Sequence, residues 1–130
     1  MKDCLTLANG RLSEKQKNTY WNDGYLFPID VANETQTKNW RNSLEKIEHD
    51  WLDNGLTLPL NTYKRVNAQV VMPLACEIGL HGQILDAVEG ILGPDIMLYS
   101  VEFLTKEPHT KHIVTMHQDL AYWGMGDMDN

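Results

Sequence analysis

The clearest pattern in the chain is a helical one. Apolar residues separated by four, three and four positions recur in the second quarter of the chain: Trp40, Leu44, Ile47 and Trp51. This spacing places them on one face of an α-helix. Asn33 or Thr35 can cap its N-terminus, and Asn54-Gly55 is a typical C-terminal stop. The pattern predicts a helix that runs to about residue 53.

A shorter helix is predicted near the beginning of the chain. Ser13 and Gln16 have the three-residue separation of a capping box, which satisfies free backbone N–H groups at a helix start. The helix should continue to about Trp21. Asn22-Asp23-Gly24 then supplies polar residues and a glycine that stop it.

A further helical block is predicted over residues 73–92, after a polar connector at residues 56–67. Gly79 and Gly82 should divide this block into two helices, since glycine disfavours a helix interior. Gly93-Pro94 ends it, because proline cannot continue a helix.

Three segments have the composition of β-strands. Residues 96–105 alternate between two sides and are rich in β-branched and aromatic side chains, and residues 112–116 repeat this character over a shorter length. Residues 25–31 form a weaker candidate, in which Pro28 confines the strand to a sheet edge. Helices come first and strands late, so the pattern predicts an α+β fold.

Composition is that of one ordinary domain. The chain has 130 residues, of which 42% are hydrophobic and 22% charged, enough to build a core. Residues 1–12 are expected to be a flexible extension, and residues 13–130 the folded domain.

Net charge and cysteine content limit the classes of binding partner and the cellular compartment that can be expected. The net charge of −7 argues against binding duplex nucleic acid or anionic lipid, both of which need clustered cations. No apolar run reaches the roughly 18 residues that a membrane span needs. Cys4 and Cys76 form no disulfide framework, so free thiols and a cytoplasmic location are expected. Neither nucleic acid nor a membrane is therefore expected as a partner.

The tripeptide His117-Gln118-Asp119 carries the candidate chemistry. Residues two apart at the end of a strand point the same way, so the His117 imidazole and the Asp119 carboxylate can reach one metal ion. A nitrogen and a carboxylate oxygen suit Fe(II) or another divalent first-row metal. The pattern is short and occurs by chance in many proteins. Its structural alternative is a surface histidine hydrogen-bonded to a nearby carboxylate.

Several segments together resemble the phytanoyl-CoA dioxygenase family of Fe(II)/2-oxoglutarate-dependent oxygenases. The similarity lies in residues 103–108 (FLTKEP) and 117–123 (HQDLAYW), and also in residues 84–96 and in the DGY turn within residues 20–25. These segments follow one another in the family's order, over about residues 13–124.

The resemblance implies a double-stranded β-helix, the jelly-roll barrel, with the N-terminal helices packed outside it. His117 and Asp119 would be the first two members of an iron-binding facial triad, and Gln118 would face 2-oxoglutarate. With O₂ as co-reactant, the family hydroxylates an unactivated C–H bond, so the resemblance implies a small-molecule substrate as the partner. The carboxylate of Asp119 favours hydroxylation over halogenation, because related halogenases have a small residue there.

Three further residues are weaker site candidates. Lys106 is a possible contact of the anionic cosubstrate, with a solvated loop lysine as the alternative. Tyr122 and Trp123 could line a substrate pocket or could be ordinary core aromatics.

The chain departs from the family pattern after Asp119. The family's second histidine and its 2-oxoglutarate-binding arginine should follow far downstream, yet no histidine follows Asp119 and the last arginine is Arg65. The chain therefore resembles the N-terminal half of such an enzyme, with an incomplete barrel and little or no turnover on its own. Exposed strand edges of a half-barrel would favour self-association.

Two other functions stay open. A non-catalytic α+β binding or interaction domain would explain the missing third ligand. A different metal-binding protein could use His109, His112, His117 and Asp119 together. For His109 and His112, a solvated loop is the simpler interpretation.

Overall fold

The fold is seen in a computed structural model, which describes residues 11–52, 55–106, 108–111 and 113–119. Helices account for 53% of these residues. In chain order they are α1 (Glu14–Asp23), α2 (Glu34–Trp51), α3 (Leu60–Arg65), α4 (Ala68–Val71), α5 (Pro73–Gly79) and α6 (Gly82–Leu92). None of the helices in these ranges is long and apolar enough to cross a membrane.

Helices α1 and α2 confirm the sequence prediction and begin at capping boxes. The Ser13 hydroxyl accepts a hydrogen bond from the Gln16 backbone N–H at 3.3 Å, and the Asn33 side chain accepts one from the Gln36 N–H at 2.9 Å. In each box the glutamine side chain bonds back to the cap residue's N–H. Gly24 ends α1 with a φ of 77°, a left-handed conformation that glycine adopts without a Cβ clash.

The division of the third helical block is also as predicted. Helix α5 ends at Gly79 and α6 begins at Gly82. Gly79 has a second role, because a Cβ atom there would lie 2.8 Å from Cγ2 of Val101 and 3.1 Å from Cδ2 of Leu98. The lack of a side chain lets residues 98–101 pack directly on α5.

Helices α3 and α4 correct the prediction of a polar connector at residues 56–67. Pro59, within this connector, directly precedes the first residue of α3. The buried core of the molecule spans α3, α4, the turn before α5 and α5 itself, at Leu60, Ala68, Met72 and Ala75. Partly buried side chains from α2 and from residues 101 and 103 pack against it. The connector is therefore the centre of the packing.

The predicted α+β fold is wrong for the part of the chain that the structure describes. There is no strand, no sheet and no jelly-roll barrel in it, and β-type pairing is limited to the single bridge residues Arg11 and Ile29. The expectation of N-terminal helices packed on part of a double-stranded β-helix is therefore overturned. The half-barrel, whose exposed strand edges were expected to drive self-association, is likewise absent from the described residues.

Residues 96–105 show why alternation misled the prediction. Their backbone bonds to short helices instead of to another strand: the Ala68 N–H donates to the Val101 carbonyl at 3.0 Å, and the Phe103 N–H donates to the Lys64 carbonyl at 2.9 Å. The Gln69 side chain accepts from the Val101 N–H at 2.9 Å. The segment is extended and lies across helices, so its side chains alternate between the helices and solvent. The alternation therefore does not require a sheet.

The other two predicted strands are also absent. Residues 25–31 are irregular apart from the bridge at Ile29, and residues 113–116 have no regular structure. Residue 112, which began the last predicted strand, lies outside the described residues. The exposure of the apolar side chains in this last segment agrees with the absence of a strand there. Ile113, Val114 and Met116 are strongly exposed, and no sheet of the described residues covers them.

Candidate metal site

The two side chains singled out in the sequence lie in contact. His117 Nε2 and Asp119 Oδ1 are 3.1 Å apart, on a segment that is exposed to solvent. The expected juxtaposition of residues two apart is present, although it arises at a turn at Asp119 and not in a strand. An imidazole nitrogen and a carboxylate oxygen therefore share one small region of space.

The other ring nitrogen of His117 is held by the main chain. Nδ1 lies 2.7 Å from the Thr115 carbonyl oxygen, a distance at which the ring N–H donates to the carbonyl. This bond orients the ring and places a proton on Nδ1. In the protonated imidazolium, Nε2–H donates to Asp119, and in the neutral form the Nε2 lone pair faces the carboxylate. Histidines that bind metals commonly have this arrangement, with the distal N–H bonded to a backbone carbonyl. No sequence pattern predicts that the Thr115 carbonyl would bond to His117.

The electrostatics of the pair favour a cation between the two side chains. In the neutral form, the Nε2 lone pair and the Asp119 carboxylate are two acceptors that face each other. The hydrogen bond to the Thr115 carbonyl raises the pKa of His117, and the nearby charge and hydrogen bond of Asp119 raise it further against the opposing effect of desolvation. A proton relieves the repulsion between acceptors, and a metal ion can take its place.

The separation of the two atoms fits adjacent positions on a metal. Nitrogen and oxygen ligands lie about 2.1 Å from a divalent first-row ion, so two ligands at right angles are about 3.0 Å apart. The observed 3.1 Å is compatible with this value, and it is also the ordinary length of an N–H···O hydrogen bond from a protonated imidazole.

The remaining sequence candidates are only partly placed. Gln118 and Lys106 are exposed, and His109 lies in a turn with a φ of 64°. Tyr122, Trp123 and His112 lie outside the described residues. Within the described ranges no group of three or more histidine, cysteine, aspartate or glutamate side chains could hold one ion. The site therefore fits a metal as a pair of ligands, and the predicted four-ligand set is not assembled there.

A second histidine–aspartate contact on α2 provides a useful contrast. His49 Nδ1 lies 3.1 Å from Asp50 Oδ1, and Lys46 also bonds to the Asp50 carboxylate. The bonds from Lys46 and then His49 hold the pKa of Asp50 below its ordinary value. Because the lysine already supplies a positive charge, this second pair has less to gain from a cation than His117 and Asp119 have.

Sequence reasoning missed a buried ion pair beside the core. Lys64 is almost fully buried on α3, and its ammonium group bonds to the Glu48 carboxylate and to the Thr105 hydroxyl. The pair links α2, α3 and the end of the 96–105 segment, so its role is to hold these elements together.

An apolar groove lies next to α2, apart from the candidate metal site. It has a volume of about 380 Å³ and is lined by side chains of α2, α3, α4 and the turn between α4 and α5, including Trp51, Tyr63 and Met72. Neither His117 nor Asp119 lines it. Trp51, which the apolar spacing placed on one face of α2, has about half of its surface exposed at this groove.

Comparison with known proteins does not extend these observations. The chain has no significant match to a protein-family model, to a curated protein or to a solved structure.

Proposed function

We propose that the chain binds a divalent metal ion through His117 and Asp119, as an Fe(II)/2-oxoglutarate-dependent dioxygenase of the phytanoyl-CoA dioxygenase type. The observation that carries the proposal is the geometry of His117. Its Nδ1 is bonded to a backbone carbonyl, and its Nε2 lies 3.1 Å from the Asp119 carboxylate, a separation that two adjacent metal ligands can adopt.

The sequence resemblance supplies the identity of the metal and the reaction class. Imidazole and carboxylate ligands with open positions are typical of non-haem Fe(II) oxygenases. A bound Fe(II) would supply O₂ activation with 2-oxoglutarate as cosubstrate, leading to hydroxylation of a small molecule in the cytoplasm. Gln118 would contact the cosubstrate, and Lys106 could contribute a positive charge.

The contribution of the chain itself is to orient the ligands. The Thr115 carbonyl fixes the tautomer of His117, so its Nε2 lone pair is available once the proton there is lost. Asp119 supplies a negative charge that offsets part of the charge of a divalent ion. A third protein ligand is required, and the described residues do not supply it.

Anaerobic titration with Fe(II), with and without 2-oxoglutarate, tests this proposal. We expect Fe(II) binding by the whole chain, and a visible metal-to-ligand charge-transfer band when 2-oxoglutarate is added. His117→Ala should abolish both signals, because it removes one of the two ligands. His49→Ala is the matched control, since it removes an exposed histidine that also contacts an aspartate.

The outcomes separate the parts of the proposal. Iron binding without any band would contradict the dioxygenase assignment while leaving a metal site. Iron binding that survives His117→Ala, or no binding at all, would overturn the site itself.

A second candidate function is association with another chain. It is favoured by the exposure of Ile113 at 83%, Val114 at 78% and Met116, which is fully exposed. Apolar side chains grouped in this way are typical of a contact surface.

A further inference from the structure

The starts of α2 and α6 meet at a hydrogen bond between Gln36 and His81. Gln36 lies in the first turn of α2, and its Nε2 is 3.3 Å from Nε2 of His81, the residue that precedes α6. The His81 and Trp40 rings are nearly perpendicular, with an interplanar angle of 88° and centroids 5.2 Å apart. All three side chains are partly buried. One imidazole thus connects the beginnings of two helices.

The capping box of α2 determines which atom of Gln36 faces the histidine. The Asn33 backbone N–H donates to Gln36 Oε1 at 3.1 Å. A backbone N–H can only donate, so the amide oxygen must lie there and the NH₂ group must face His81. The NH₂ group is also only a donor, so Nε2 of His81 must accept with its lone pair. The hydrogen bonds therefore assign a neutral imidazole with its proton on Nδ1.

Stability alone does not explain a histidine at this position. Nδ1 of His81 is buried and forms no hydrogen bond with the described residues. His81 is also the N-cap residue of α6, and its side chain makes no capping bond there, although asparagine or serine would. The property that a histidine adds is a change of charge near neutral pH.

We infer that His81 and Gln36 form a pH-sensitive link between the starts of α2 and α6. A proton on Nε2 of His81 would face the NH₂ group of Gln36, so two donors would point at each other. Turning the amide over would restore that bond, but the NH₂ group would then face the Asn33 N–H and the capping box would be lost. Protonation therefore costs Gln36 one of its two bonds, and acidification loosens the first turn of α2 from α6.

The charged groups that face the link are acidic. The Glu77 carboxylate on α5 accepts from Trp40 Nε1 at 2.7 Å, and Asp30 and Glu34 line a pocket that Gln36 also lines. The acidic residues of α6 line a different pocket, together with Arg11 and Lys17: Asp86 and Glu89. Negative charge does not oppose a cation, so the facing donors are what oppose protonation. An acceptor in place of the NH₂ group should therefore reverse the response to pH.

The pH dependence of urea unfolding tests the link, with His81→Gln as the first variant. The glutamine oxygen can accept from Gln36 as Nε2 does, and it takes up no proton. Because the link requires a neutral His81, the unfolded chain binds more protons than the folded chain below about pH 6.5. From about pH 7.5 to about pH 5.5, the unfolding equilibrium constant should rise at least about threefold more in the unmodified chain than in His81→Gln.

Gln36→Glu should reverse the sign of this effect. Glutamate keeps the capping box, and its second oxygen can accept from a protonated His81. The folded chain then binds the additional proton, so acid stabilises it. Over the same pH range, the unfolding constant of Gln36→Glu should fall at least about threefold relative to the double variant that also contains His81→Gln.

His49→Gln is the matched control, because this exposed histidine lies at the other end of α2. Its curve should parallel that of the unmodified chain. Long-range ¹H–¹⁵N spectra of the histidine rings in the unmodified chain provide a second readout. At about pH 7.5 the signal that His81→Gln removes should be that of a neutral ring protonated on Nδ1.

Three results would overturn the link. The first is parallel curves for the unmodified chain and His81→Gln. The second is a His81 ring that is charged, or protonated on Nε2, at about pH 7.5. The third is a Gln36→Glu variant that loses stability in acid as the unmodified chain does. None of these results bears on the metal site, which contains neither residue.

Discussion

The buried helical core and the exposed 113–119 segment use their side chains in opposite ways. Around α3, α4 and α5, small and apolar residues are enclosed, and Ala68 and Ala75 have no exposed surface. In the 113–119 segment, apolar residues face solvent and the polar pair has local bonds, from His117 to the Thr115 carbonyl and to Asp119. Stability should therefore depend on the first region, and metal binding on the second.

This difference makes the two properties separable by mutation. A change in the core should lower the free energy of unfolding, and it should alter metal binding only where unfolding removes the site. A change at His117 or Asp119 should remove binding at nearly constant stability, because these side chains are exposed and contact neighbours within two residues.

The largest effect is expected for Leu60→Ala. Leu60 is 6% exposed and packs in the cluster with Ala68, Met72 and Ala75, so its truncation leaves a cavity. The expected loss is about 2–5 kcal/mol of unfolding free energy, measured by urea denaturation. Ile113→Ala is the matched control and should change stability by less than about 0.5 kcal/mol, since its side chain is 83% exposed. Equal losses in both variants would contradict the separation.

A smaller effect is expected for Gly79→Ala. The added methyl group would lie 2.8 Å from Cγ2 of Val101, so residues 98–101 must move away from α5. Overpacking of this kind costs about 1–3 kcal/mol. Gly82→Ala serves as the control, because nothing lies within 4 Å of a Cβ there. If Gly79→Ala were as stable as Gly82→Ala in thermal unfolding, the close packing of the 96–105 segment on α5 would be refuted.

The smallest effect concerns Asp50, the aspartate of the other histidine contact. Hydrogen bonds from Lys46 and His49 hold its pKa below the ordinary value. A carboxylate with a lowered pKa stabilises the folded chain above the unfolded pKa, and this contribution is lost as the pH falls through the folded value. Between pH 6 and about pH 3, the melting temperature of the unmodified chain should therefore fall slightly more steeply with decreasing pH than that of Asp50→Asn. Parallel curves would show that the exposed bonds contribute nothing.

The sequence was informative where structure is set by neighbouring residues. Ser13 with Gln16 and Asn33 with Gln36 specify two helix starts, because a capping box involves only residues three apart. The contact of His117 with Asp119 was foreseen for the same reason. Local spacing brought these two side chains together even though the strand assumed for them is absent.

Prediction failed where distant segments decide the structure. The alternation in residues 96–105 is compatible with a strand, but Val101 and Phe103 bond to Ala68 and Lys64 instead of to a neighbouring strand. Periodicity cannot reveal which partner a segment has. The jelly-roll expectation depended on such partners and was wrong for the described residues. Likewise, no local pattern shows which residue would provide a third ligand at the proposed metal site.

The most direct test of the proposed metal site is the iron K-edge X-ray absorption spectrum of the anaerobic Fe(II)-loaded chain. The account predicts six nitrogen and oxygen neighbours at about 2.1 Å, with the multiple-scattering signal of imidazole. That signal should disappear in His117→Ala and persist in His49→Ala. A spectrum of hydrated Fe(II) without imidazole, or an imidazole signal unchanged in His117→Ala, would contradict it.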